Sequence, residues 1–275
     1  MVLISTWFGF YAGVVKLEQS ISDFDSMFIL ALILGAIFSS CGVAALNEYI
    51  ESDLDKLMDR TKNRPIPSGA ISSKTGLIFG IIMSLLGIGL FWFLVHKGAA
   101  ILSALTLILY VFVYTPLKRK TPLNTLVGAL PGALPPLGGW LAATGKLTKE
   151  AWILFAILFA WQIPHFLSIA WIYRKDYKRG GFKMYTGEKK LTVFRLYIFI
   201  FTFLMIYYSV LPTMVGIAGT FYLTGAMILG MIFFFASMGL IISQTGKTAK
   251  VLLKTTVFYL PLLLILFIFE QNFIR

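Results

Sequence analysis

The chain has 275 residues, of which 58% are hydrophobic and 13% charged, with a formal net charge of +12. A mean hydropathy of +0.84 and about half the usual charged share exclude an ordinary soluble enzyme, leaving one all-α membrane domain over 1–275. The single Cys41 excludes a disulfide framework or cysteine metal site, His96 and His165 are a poor basis for bis-histidine haem ligation, and no separate basic module points to nucleic acid.

Hydropathy predicts nine spans at roughly 2–16, 25–47, 76–95, 99–116, 122–143, 151–173, 194–213, 217–243 and 251–271. The first lacks a signal peptide's basic start and cleavage site. It is short for a hydrocarbon core about 30 Å thick, as expected of a chain starting part-way along a longer helix.

The second span runs into NEYIESDLDKLMDRTKNRPIPSG, Asn47–Gly69, where Glu48, Glu51, Asp53, Asp55 and Asp59 take five of the chain's twelve acidic residues. Acidic side chains contribute little to membrane orientation, so topology does not explain them. Asn47, Glu51 and Asp55 recur at i, i+4, i+8 and share one helical face. An amide and two carboxylates form a hard-oxygen surface of the kind Mg²⁺ takes, with phosphate and water completing the shell. Arg60, Lys62 and Arg64 follow, suited to the remaining phosphate charge. The residues alone leave a second reading open, a solvated helix end with internal acid–base pairs.

The fifth span, TLVGALPGALPPLGGWLAA, is rich in Gly and Pro and is expected to bend or break where its backbone lines a cavity or packs on protein. Basic residues cluster in the connections after spans 2, 4, 6 and 8, among them Lys118, Arg119, Arg174, Lys175, Lys178 and Lys189. Only Lys16, Lys97, Lys146, Lys149 and Arg275 of the 24 fall on the other side. The positive-inside rule then puts the N-terminus and the acidic stripe in the cytoplasm and the C-terminus outside, and the net charge attracts anionic membrane lipid.

Asn47, Glu51 and Asp55, followed by NRPIPSG, resemble the first aspartate-rich motif of the UbiA-type intramembrane prenyltransferases. YTPLKRKTPLNTLVGALPGALPPLGGW, Tyr114–Trp140, and FAWQIPHFLSIAWIYRKDYKRGGFKMYT, Phe159–Thr186, resemble the haem O synthases, or protohaem IX farnesyltransferases, within that superfamily. The resemblance covers the chain from about residue 30 to its end, and the family's usual Lys-Pro-Arg opening is missing. Glu51 stands where the family has Asp, so Asp53 is a candidate to share the middle position. Only Asp176 represents the second acidic motif.

The resemblance implies transfer of farnesyl from farnesyl diphosphate to haem B, giving haem O, with Mg²⁺ as cofactor. Asn47, Glu51 and Asp55 would hold the metal, with Asp53 and Asp176 as further catalytic candidates. Arg60, Lys62, Arg64, Lys118 and Arg119 would hold the diphosphate, and His165, Arg174, Lys175 and Lys178 the haem. Implied further partners are haem A synthase or terminal oxidase assembly, in a prokaryotic inner membrane. Three alternatives remain: a superfamily member acting on 4-hydroxybenzoate, a naphthoate, a chlorophyllide or a glycerol lipid; a cation-coupled transporter; and a passive assembly factor.

Overall fold

The computed structural model describes residues 1–186 and 190–273, and among these there is no β-strand. Lys189 and Arg275, both used in the charge count, lie outside the described residues. Eight helices are long and apolar enough to cross a membrane, preceded by a shorter apolar helix, which makes this an integral membrane protein. The helices are α1 (Val2–Lys16), α2 (Ser26–Asp55), α3 (Ser73–Val95), α4 (Lys97–Leu117), α5 (Asn124–Thr144), α6 (Lys149–Ile172), α7 (Arg174–Arg179), α8 (Leu191–Met214), α9 (Thr220–Ser243) and α10 (Gly246–Phe273). Only the six-residue α7 has no counterpart among the predicted spans.

Helix α2 differs most from expectation. It runs two turns past Asn47 to Asp55, so the acidic stripe belongs to the helix itself. Arg64 Nη1 donates to Asp55 Oδ2 at 2.8 Å, the Thr61 hydroxyl to the Asp55 carbonyl at 3.1 Å, and the Ile66 N–H to Glu48 at 2.8 Å. These bonds fold the 56–72 connection back over the helix end, and the Thr61 hydroxyl satisfies a carbonyl that termination would otherwise leave unpaired.

Other polar residues also have local structural causes. The His96 imidazole accepts the Gly98 N–H at 3.0 Å and caps α4. At the same end of the bundle, buried Glu150 pairs with Lys16 at 3.1 Å. Buried Glu270 accepts the N–H groups of Gly219, Phe221 and Tyr222 at the start of α9, where the helix dipole favours a negative charge.

The helices close into a ring: α2 packs along α3, α1 along the second half of α5, α8 against α6 and α9, α10 against α9 and α6, and α1 also against α10. Helices α5 and α6 lie at the centre, 61% and 67% buried, while the other spans are 17–39% buried and face outward with apolar side chains. As expected, α5 breaks, at Leu134 between Ala133 and Pro135. Its second half meets α1 backbone to backbone. A Cβ on Gly139 would stand 1.9 Å from the Thr6 carbonyl oxygen, and one on Gly9 2.0 Å from that of Pro136. Only glycine permits that approach, as in other small-residue membrane interfaces.

Candidate functional site

At the end of the bundle carrying the 56–72 connection lies a polar cavity of about 180 Å³, lined from α2 by Asn47, Glu51 and Asp55. The three are 8%, 4% and 1% exposed, so the one-face spacing of the sequence is a buried face rather than a solvated one. From α4, Tyr110, Tyr114 and Lys118 enter the same cavity, again at i, i+4, i+8. A wider π-type stretch, Leu109–Tyr114, carries this part of α4, a local geometry that recurs at functional sites.

Lys118 Nζ donates to Glu51 Oε2 at 2.9 Å and to Asn47 Oδ1 at 3.3 Å, and lies 4.6 Å from the centre of the Tyr114 ring. Asn47 Nδ2 donates to Glu51 Oε2 at 3.0 Å, and the Thr115 hydroxyl to Asn47 Oδ1 at 3.0 Å. Asp55 is paired with Arg64. The second carboxylate oxygen, Glu51 Oε1, is buried with no hydrogen-bond partner. Such an oxygen carries a desolvation cost that a cation would relieve.

No group of three His, Cys, Asp or Glu side chains able to hold a metal alone occurs among the described residues. The donor set nevertheless fits Mg²⁺, which is held by one or two carboxylates plus substrate phosphates rather than by an all-protein cage. Asn47 Oδ1, Glu51 and Asp55 are the residues that would hold it.

Arg60 and Arg64 line the cavity as well. The Arg60 guanidinium lies over Tyr173 and Tyr177, at 5.1 and 5.3 Å, and donates to the Tyr177 hydroxyl at 3.1 Å. Its backbone N–H donates to Asp176 Oδ2 at 3.1 Å. Arg179 bridges Asp176 and Asp59. Its hydrogen bond, with that from Lys62, holds the Asp59 carboxyl down to about 2.

The structure does not bring every predicted residue to the cavity. Asp53, two residues from Glu51, points to the opposite side of α2, is 90% exposed and pairs with Lys56; helical geometry removes it from any shared ligand position. Lys62 is turned outward onto Asp59, and Arg119 is exposed beside the buried Lys118. Asp176 ties α7 to the 56–72 connection instead of lining the cavity. His165 sits between α6 and α10, bonded through Nδ1 to the Thr256 hydroxyl at 2.8 Å and stacked on Trp161. Arg174, Lys175 and Lys178 line open basic depressions next to the cavity. One depression shares Tyr177, Phe182 and Met184 with it.

Sequence reading passed over Tyr110, Tyr114, Thr115, Asn124 and Phe182. The 110/114/118 spacing was a usable signal. Asn124 and Phe182 had none, because both depend on where the 182–186 segment lies. There the Lys183 N–H donates to the Lys118 carbonyl at 2.8 Å, and Asn124 Nδ2 to the Lys183 carbonyl at 2.8 Å.

A second cavity of about 250 Å³ extends between α1, α2, α3, α4 and the broken part of α5, lined by Ala36, Val43, Phe91, Leu102, Pro135 and others. Pro131, Gly132, Leu134 and Pro135, around the break in α5, all line it. Tyr110 lines both cavities.

Comparison with known proteins shows the family and the fold. Residues 2–265 match the model of the UbiA prenyltransferase family. A protoheme IX farnesyltransferase of Solibacter usitatus is 39% identical over 96% of this chain and 91% of its own. The apo structure of a UbiA homolog from Aeropyrum pernix K1 superposes with a TM-score of 0.77 at 15% identity, over 96% of both chains. One from Archaeoglobus fulgidus, bound to GPP and Mg²⁺, gives 0.64 at 14% identity, over 97% of this chain and 96% of its own. The chain belongs to the UbiA prenyltransferase family.

Proposed function

We propose that the protein transfers the farnesyl group of farnesyl diphosphate to the vinyl group of haem B, giving haem O and diphosphate. The observation that carries this reading is the junction at Tyr110, where a cavity lined by two carboxylates, two guanidiniums and an ammonium adjoins an apolar cavity. An allylic diphosphate has this division, a charged head on a hydrocarbon tail. The curated relative's name supplies the acceptor.

Mg²⁺ held by Asn47, Glu51 and Asp55 would supply Lewis-acid neutralisation of the departing diphosphate, as the ligands of the Archaeoglobus homolog suggest. Arg60, Arg64 and Lys118 bind the phosphate oxygens and orient the head with its first carbon toward the tail cavity. The Tyr110 and Tyr114 rings face that carbon, exclude water and stabilise passing positive charge. The bond from that carbon to oxygen breaks, with its electron pair leaving on diphosphate. The vinyl carbon forms the new carbon–carbon bond. Water adds to the resulting cation and loses a proton, leaving a hydroxyl. Arg174, Lys175 and Lys178 offer the porphyrin propionates cationic partners, while Phe182 and Met184 face its ring. We also place this end of the bundle on the cytoplasmic side of a prokaryotic membrane, from the distribution of basic residues.

The test is the product mass from purified protein in lipid nanodiscs with haem B and farnesyl diphosphate, with and without Mg²⁺. Haem O formed only with Mg²⁺ is expected. A prenylated quinone precursor with 4-hydroxybenzoate supplied, and no haem O, would sink the reading.

A further inference from the structure

We propose that Lys118 acts as a displaceable occupant of the metal site, so that the site accepts a divalent cation only together with a diphosphate. The proposal rests on the metal-assisted reading above and adds an order of binding to it.

Lys118 is 8% exposed, and its ammonium is bonded to two of the oxygens that would hold the metal, Glu51 Oε2 at 2.9 Å and Asn47 Oδ1 at 3.3 Å. Its positive charge balances Glu51, and Arg64 balances Asp55. The oxygen set is therefore already neutralised by the protein's own cations. A lone divalent ion entering would share Glu51 with an ammonium in hydrogen-bond contact, and like charges at that range repel strongly inside a protein. A further oxygen of the set, Glu51 Oε1, is buried without a partner. Two carboxylates and an amide do not complete a magnesium shell without phosphate oxygens.

An arriving diphosphate changes the balance. Its oxygens are better partners for an ammonium than a shared carboxylate and a neutral amide. Lysine is a point charge on a four-carbon stem, so it turns between the two without backbone movement. The Tyr114, Tyr110 and Phe182 rings, 4.6, 6.0 and 5.9 Å from Nζ, flank it and keep it over aromatic faces during the turn. Once it turns, Glu51 Oε2 and Asn47 Oδ1 are released to the metal. The coupling is reciprocal, so loss of diphosphate after reaction returns Lys118 to Glu51 and drives the metal out.

The test is Mn²⁺ binding by the purified protein in nanodiscs, followed by electron paramagnetic resonance of the free ion. Without diphosphate, wild type should bind Mn²⁺ weakly, and Lys118→Met about tenfold more tightly or better, within the usual range of such coupling. Lys118→Gln, which keeps a donor for Glu51 without the charge, should shift the same way and covers the case in which the methionine variant folds poorly. Adding Glu51→Gln to either should abolish the gain. Mn²⁺ affinity unchanged in both lysine variants, or a gain that survives Glu51→Gln, overturns the proposal even if wild type makes haem O with Mg²⁺. Wild type that makes no haem O in the presence of Mg²⁺ overturns the reading beneath it.

Discussion

Glu51 and Asp55 occupy the last turns of α2, where the helix dipole disfavours negative charge, and both are buried. A fold selected for stability alone would not place them there. Removing one partner of such a buried pair is costly, because the other charge is left stranded. Glu51→Gln is expected to lower kcat by about 10²–10³-fold, the usual effect of losing one charge-stabilising group. Asp53→Asn should change it by less than about twofold, since an exposed pair contributes little. Haem O formation measured for both variants against wild type checks the pair of predictions. Asp59 behaves differently, being solvent-exposed with a carboxyl held at about 2 against an ordinary 3.8. A depressed pKa contributes stability above the unfolded value and loses it as pH falls through the folded one. Thermal melts of wild type and Asp59→Asn should therefore keep a constant separation from pH 8 down to about pH 4 and converge below it.

Among the elements, α7 and the 56–72 connection meet through Asp176, which accepts the Arg60 N–H and the Arg179 guanidinium. Asp176 thus holds Arg60 in place without reaching the cavity. Asp176→Ala should raise KM for farnesyl diphosphate about tenfold through the lost hydrogen bonds while changing kcat little. A kcat loss as large as that of Glu51→Gln would instead mark a catalytic group. The α1–α5 contact makes a purely structural prediction. Gly139→Ala would drive a methyl into the Thr6 carbonyl and should destabilise the protein by about 1–3 kcal/mol, as overpacking does. A thermal melt in detergent reads this without reference to activity.

For the whole molecule, the apolar cavity sets what tail the bundle accepts. Ala36 is buried on its α2 wall, and Ala36→Phe should weaken farnesyl diphosphate by about tenfold or more while sparing the shorter geranyl diphosphate. A few methylenes of lost pocket account for such discrimination, and competition kinetics with the two diphosphates measure it. The spans, the break in α5 and the acidic stripe were legible in the chain because each is a local pattern: an apolar run, a Pro-Gly cluster, a period of four. Hydropathy placed the second span's end at 47, since charge stops an apolar run without stopping a helix. Which cations face the stripe was not legible. Lys118 and Arg119 are adjacent in sequence and Lys62 lies two residues before Arg64, and only packing of α4 and the folded-back connection turns Lys118 and Arg64 to the cavity and leaves Arg119 and Lys62 to water. The same holds for Asp176 and His165, whose type and position suggested chemistry until the fold gave their bonds to Arg60 and Thr256. The sequence by itself determined a membrane bundle of helices with one hard-oxygen face. Only tertiary structure decided which side chains share that face's cavity, because those contacts join residues tens of positions apart and follow from helix packing.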